Sequence, residues 1–258
     1  MATSPQTAAQ KPKAVTAQTE VIEIAKTIAC ALLIALVLRV ALFQPYTIPS
    51  SSMEPGLQTG DYIIVSKYSY GWSRASIPFS PPLFTGRVMG KTPERGDVIV
   101  FQLPRDESKT FIKRLIGLPG DRVQVLGGVV FVNGRPIPHR AIGPTQDPDD
   151  PMRTVMQVEE TKPSGKTYVT FGGEAGHEGD DTDVYVVPAD HYFFMGDNRD
   201  NSLDSRWPKE VGVGFVPAEN IVGKAQIILL SWSQGTSIFK PWTWVTHLQP
   251  RRFFRRLS

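Results

Sequence analysis

The sequence is short of the residues on which most catalytic and metal sites are built. Its one cysteine, Cys30, lies inside an apolar run, which excludes an intrachain disulfide and any cysteine-based metal site. Redox compartment therefore cannot be read from disulfides. Four histidines occur, at 139, 177, 191 and 247, without HxxxH or HxH spacing, so no metal is expected and no Ser/His/Asp arrangement stands out. Charge of one sign is also scarce: the net charge is +3 and the basic residues are scattered except at the C-terminus, so nucleic acid is set aside as a partner. There is only one long apolar run.

What is present is turn chemistry. Glycine and proline number 22 each in 258 residues, which suits a turn-rich β protein with a sizeable core. Residues 1–20 are rich in Ala, Thr, Gln and Lys and cannot bury enough surface to offset their ordering entropy, so a disordered tail is expected. The apolar run, Val21 to Phe43, has a charge-free centre from Thr27 to Leu38. At ~1.5 Å per residue it reaches about 33 Å, enough to span a bilayer, with Lys26 and Arg39 placed to snorkel near its ends. We read 21–44 as a retained transmembrane helix. A cleaved signal peptide is the competing reading, and the missing small-x-small site after the core speaks against it. Lys11, Lys13 and Lys26 before the run against Arg39 after it favour the N-terminus inside, with the bulk of the chain outside the cytoplasm.

Beyond the run comes Ile48 to Leu57, IPSSSMEPGL, a Ser/Pro cluster of the kind that usually makes a turn. At ~3.5 Å per residue, the nine residues from Phe43 keep Ser52 within about 30 Å of the bilayer surface. Strands are expected at 61–67, 98–101, 110–118, 184–187, 191–195 and 223–232, with short strands over 122–137 joined by Gly127-Gly128 and by the type I′ signal Asn133-Gly134. The Pro-rich stretch 69–94 reads as a loop, and 138–183 as a polar insertion with one strand at 166–171. Its acidic cluster 177–183 lacks the spacing of an EF-hand and reads as a solvated loop. The basic, aromatic tail either lies on an anionic membrane surface or is simply solvated.

A serine hydroxyl needs a base to become a nucleophile, and without a histidine candidate a lysine has to be considered. Such a lysine must be neutral, which requires apolar surroundings. Lys113 fits, since strand alternation puts Phe111 and Leu115 on its own face. Physical chemistry alone does not single the pair out, because Ser-rich turns and strand lysines are common.

The ordered set IPSSSMEPGL, GDYIIVSK, RGDVIVF, FIKRLIGLPGD and GDNRDNSLDSR, behind an N-terminal anchor, resembles the bacterial type I signal peptidases over residues 48–225. The resemblance implies a mainly β catalytic domain (45–121 and 184–235) with an inserted β subdomain (122–183), after one transmembrane helix and before a tail at 236–258. It implies a monomeric, cofactor-free serine endopeptidase on the outer, periplasmic face of the bacterial plasma membrane, in contact with lipid, removing signal peptides from secretory preproteins after a small-x-small motif. Ser52 matches the nucleophile and Lys113 the general base. Ser50 matches an oxyanion-hole hydroxyl acting with the Ser52 backbone N–H, and Ser202 a serine that orients the lysine. Asp204 with Arg206, and Asp197 with Arg114, match supporting ion pairs. Tyr46, Ile48, Met53, Phe111 and Ile112 are candidates for shallow substrate pockets, or are core. Two departures stand out: seven extra residues, Trp207 to Val213, precede Gly214-Phe215-Val216-Pro217, and there is one span where some members carry two. The alternatives are a peptidase specialised for one conjugation or pilus-type substrate, and an inactive membrane-tethered β binding protein.

Overall fold

The computed structural model describes residues 17–78, 80–82, 84–148, 150, 152–172, 176–233, 236 and 242–257. The expectation of a disordered tail at 1–20 falls outside them up to residue 16. The chain divides into two compact units, 1–39 and 40–258.

The described residues of the first unit belong to helix α1, Ala17–Ala41, which opens with Glu20 in its first turn and closes with Arg39 in its last, each matched to the helix dipole. Its apolar side chains, Ile24, Ile28, Leu32 and Leu36 among them, are exposed. A helix apolar on all sides is one built for an apolar environment. The stretch Thr19–Arg39 is long and apolar enough to cross a membrane.

The second unit is mainly β. Among the described residues fifteen strands follow in order: β1 Phe43–Thr47, β2 Asp61–Ser66, β3 Val98–Leu103, β4 Asp106–Gly117, β5 Arg122–Leu126, β6 Val129–Val132, β7 Arg135–Pro136 and β8 His139–Gln146. Then come β9 Thr154–Thr161, β10 Thr167–Gly172, β11 Tyr185–Val186, β12 His191–Met195, β13 Val216–Pro217, β14 Ile221–Ser231 and β15 Arg255–Arg256, with a short helix α2, Trp242–Thr246, before the last. The main sheet runs β1-β2-β14-β3-β4-β12-β13, and β15 also pairs with β14. β2 pairs with β14 from Lys224 to Ser231, and β3 (at Ile221–Lys224) and β15 (at Ile227–Ile228) take the other edge in succession. Two smaller sheets, β10-β9-β8 and β11-β5-β6-β7, complete the unit.

The strands expected from apolar runs are all present. β1 was not expected: the apolar run continues through Phe43 into Gln44-Pro45-Tyr46, and the helix stops at Ala41. Nor were β8 and β9, whose mixed residues conceal a three-stranded sheet within the polar insertion. The Asn133-Gly134 turn has φ of 54° and 75°, as a type I′ hairpin requires. The acidic loop is not simply solvated. Asp180 is buried and accepts from the His177 N–H at 3.0 Å, and the Asp181 carboxylate accepts from Gly127 at 2.8 Å.

Three apolar clusters hold the sheets together. One, with Ile48, Met53, Leu57, Ile63, Val65, Val100 and Ile228, lies under the Ser-rich loop. A second centres on Phe101, Leu115 and Phe194, whose two rings stack at 4.6 Å. The third joins β5 and β6 to the main sheet through Val123, Val130, Ile116 and Phe193. Residues 250–257 are not a floppy solvated tail. Arg252 is buried, β15 is paired, and Leu257 packs on the first cluster.

Candidate active site

Two segments remote in sequence, 48–61 and 196–206, meet at the C-terminal half of β4. The first is closed at its neck, where Ile48 N–H donates to Asp61 O and Gly60 N–H to Ile48 O, each at 2.9 Å. Within it, Glu54 N–H donates to Ser51 O and Leu57 N–H to Met53 O, winding the chain so that Met53 and Leu57 turn into the core. This leaves Ser50 exposed and Ser52 half-buried at the rim. The second segment leaves β12 directly after Met195, which is paired with Arg114 of β4.

Lys113 is 4% exposed, and its Nζ is hydrogen-bonded to Ser52 Oγ. Burial pushes its amine down from 10.5 to about 8, against the upward pull of Asp204 and Asp197 and with a smaller downward push from Arg206. Ser50 Oγ lies 3.4 Å from Ser52 Oγ. The four histidines are engaged elsewhere: a ring nitrogen of His139, His177 and His191 meets the carbonyl of Ile137, Glu178 and Ala189, and that of His247 meets the Thr246 hydroxyl.

Both expected ion pairs form and both are buried. Arg206 Nε and Nη2 donate to the two Asp204 oxygens at 2.9 and 3.0 Å, and Asp204 Oδ2 also accepts from the Gly196 N–H at 2.9 Å. Burial alone would raise the Asp204 carboxyl; the Arg206 charge and these hydrogen bonds overcome it and hold the group below its ordinary value. Arg114 grips Asp197 through Nε and Nη2, both at 2.7 Å, donates to Gly96 O at 2.6 Å, and lies 3.7 Å from the centre of the Tyr168 ring.

Ser202 departs from expectation. Its Oγ is buried and has no hydrogen-bond partner, so the bond to Lys113 is not formed here. The hydroxyl sits instead against Gly196, where an added Cβ would collide with both the Ser202 side chain and the Ser52 carbonyl oxygen. Glycine at 196 is what lets the two segments touch. Among the pocket candidates, Ile48 and Met53 are buried core, while Tyr46 and Ile112 are half-buried against the same cluster. Phe111 packs apart from them, on the second cluster beside Phe101 at 6.5 Å.

Sequence reasoning missed the clamp that holds the serine loop. Asn198 N–H donates to Ser52 O at 3.2 Å, and Asn201 Nδ2 donates to Ser51 Oγ at 3.0 Å. Ser51, the one serine of the three without an assigned role, is thus an anchor for the loop. The signal was only the two amides in GDNRDNSLDSR, which in a single sequence look like any polar loop. The segment is backed in turn by β10, where Phe171 N–H donates to Asp197 O at 2.8 Å, and by Arg199, which pairs with Glu160 at 2.6 Å.

Neither Ser52 nor Lys113 lines the cavity of about 710 Å³ bounded by Arg95, Asn133, Arg135, Lys162 and Tyr168. Ser50 and Ser52 follow shortly after β1, the strand at one edge of the main sheet.

Chemically, this arrangement suits a serine hydrolase that uses a buried lysine where others use a histidine. The family model described as "Signal peptidase, peptidase S26" matches residues 21–232. Signal peptidase I of Rickettsia typhi is 41% identical over 243 residues, covering 87% of this chain and 89% of its own length. That of Rickettsia canadensis is 39% identical over 249 residues, covering 90% and 92%. A solved signal peptidase I from Enterococcus faecalis is 28% identical and covers 52% of this chain and 97% of its own, with a TM-score of 0.30. The chain belongs to the signal peptidase family, peptidase S26.

Proposed function

We propose that the chain is a membrane-anchored signal peptidase, a serine endopeptidase that removes signal peptides from secretory preproteins with Ser52 as nucleophile and Lys113 as general base. The observation that carries this reading is a lysine amine buried to 4% exposure and hydrogen-bonded to the hydroxyl of a half-buried serine. With its pKa near 8, a useful fraction of Lys113 is neutral close to physiological pH.

Neutral Lys113 takes the Ser52 hydroxyl proton as Oγ bonds to the scissile carbonyl carbon. The carbonyl oxygen becomes an oxyanion, held by the Ser52 backbone N–H and the Ser50 hydroxyl. Collapse breaks the C–N bond, and the Lys113 ammonium passes its proton to the leaving amine. Water, deprotonated by Lys113, then hydrolyses the acyl ester. Asp204 with Arg206 and Asp197 with Arg114 keep the surrounding loop fixed.

The substrate pairs as an added strand, so that the first and third residues before the cleaved bond point to one face. There the half-buried Tyr46 and Ile112, backed by the buried Ile48 and Met53, form a shallow apolar surface that admits only small side chains. Helix α1 spans the bacterial plasma membrane with its N-terminus inside, and residues 40–258 act at the outer face.

The test is cleavage of a preprotein by the purified chain and by Ser52→Ala and Lys113→Ala, with the cut mapped by mass spectrometry. Wild type is expected to cut after small-x-small and both variants to be inactive; normal cutting by either variant overturns the dyad. Ser50→Ala is expected to lower kcat about 10²-fold, the ~3 kcal/mol typical of one oxyanion donor, with KM little changed.

A further inference from the structure

The C-terminal residues, which no part of the proposed chemistry uses, are wrapped beneath the nucleophile loop. After α2 the chain rejoins the sheet, with Gln249 N–H donating to Ser231 O at 2.9 Å. Arg252 then turns inward. Its Nε donates to Asp61 Oδ1 at 2.9 Å and its Nη2 to Asp61 Oδ2 at 2.5 Å, with Asp61 fully buried. The same Nη2 also donates to Gly56 O at 3.2 Å.

Both acceptors belong to the loop that carries Ser52. Asp61 is its neck: its carbonyl receives Ile48 N–H, and its carboxylate receives Gln58 N–H at 2.8 Å. Gly56 forms the loop's underside, so close to the Asp197 carboxylate that a Cβ there would lie 3.0 Å from Oδ2. Past Arg252, β15 pairs with β14, Leu257 N–H donates to Gln226 O at 3.0 Å, and Leu257 packs on the cluster that contains Met53 and Leu57. The loop is held at its tip by Asn198 and Asn201, and at its neck and underside by Arg252.

We propose that Arg252 is a positioning residue: through Asp61 and Gly56 the C-terminal strap fixes the loop in the register that sets Ser52 Oγ against Lys113. The inference rests on the reading of Ser52 as nucleophile. A guanidinium is suited to the task because its planar fork meets both carboxylate oxygens while still donating to a carbonyl. A lysine ammonium has three donors on one nitrogen but no planar fork, so it cannot meet both Asp61 oxygens and the Gly56 carbonyl in the same geometry.

The experiment is steady-state cleavage of a peptide carrying a small-x-small site, with thermal midpoints, for the full-length chain and its Arg252→Ala, Arg252→Lys and Arg251→Ala variants. Misplacing a reacting group by about 1 Å can lower turnover ~10²-fold, so Arg252→Ala is expected to lose between about 10- and 100-fold in kcat with KM within about twofold. Arg252→Lys is expected to recover most of the midpoint while kcat stays depressed several-fold. Arg251→Ala, at an exposed neighbouring position, is expected to match wild type in both. Wild-type kcat in Arg252→Lys, measured below its midpoint, overturns the proposal and makes the ion pair a purely structural one; this variant decides the matter even where Arg252→Ala does not fold. Ser52→Ala is run alongside. If it is active, the nucleophile reading fails; if it is inactive while Arg252→Lys is normal, only the strap fails.

Discussion

Lys113→Met is expected to give a folded protein that is more stable than wild type and does not cut. Methionine fills nearly the same volume without a charge, and positioned acid–base catalysis contributes about 10²–10⁴-fold, so turnover should drop by at least ~10³ once the nucleophile also loses its activation. The stability gain follows from the same burial that makes the amine a base. Lys113 falls from 10.5 to about 8 on folding, a difference that penalises the folded state by about 3 kcal/mol wherever both states are protonated. That penalty is fully present below pH 8, shrinks as pH rises from about 8 towards 10.5, and is absent above it. Chemical denaturation at pH 7 should therefore show the variant more stable by up to ~3 kcal/mol, and the gap should close by pH 10.5. Equal stability at both pH values would mean that Lys113 is not strained by its burial.

Asp197→Ala is expected to destabilise the domain by about 3–5 kcal/mol, because it leaves the Arg114 guanidinium, 3% exposed, without its bidentate carboxylate. Arg114 would still lie over Tyr168 and donate to Gly96 O, yet neither contact neutralises its charge. The paired change Arg114→Met with Asp197→Leu removes both charges and should restore more than half of the loss. Denaturant midpoints of the two variants decide this, and additivity of the single changes would exclude a coupled pair. Asp197 also raises the Lys113 amine, so the folded fraction of Asp197→Ala should be active to lower pH than wild type.

How much of this was legible in the sequence varied with the kind of signal. Val98-Ile99-Val100-Phe101 and Phe111 to Leu115 announce buried strands by their apolar continuity, and Asn133-Gly134 announces its own turn. The helix was legible, but not its end, because Phe43 and Tyr46 read equally well as the last turn of an apolar helix or as β1. The sheet β8-β9-β10 was hidden because its partners are one another: β8 is mostly exposed, and its glycine and proline argue against a strand. At the site, the serine loop and the lysine could be matched, and the ion pairs Asp204–Arg206 and Asp197–Arg114 lie where the motif suggests. What could not be read were contacts between residues without a pattern. Asn201 on Ser51, Gly196 against Ser52 and Arg252 on Asp61 join segments up to 191 residues apart through single side chains. Four arginines near a terminus look like part of a floppy tail until the buried carboxylate that receives one of them, Arg252, is in view.

The most direct test of the Ser52–Lys113 chemistry is the pH dependence of kcat/KM for cleavage of a preprotein, which reports the ionisation of the free enzyme's base. An ascending limb with an apparent pKa of about 8, present in wild type, is the expected result. A limb near 6.5, the ordinary value of a histidine, or near 10.5, that of a solvated lysine, would contradict a buried Lys113 as the base.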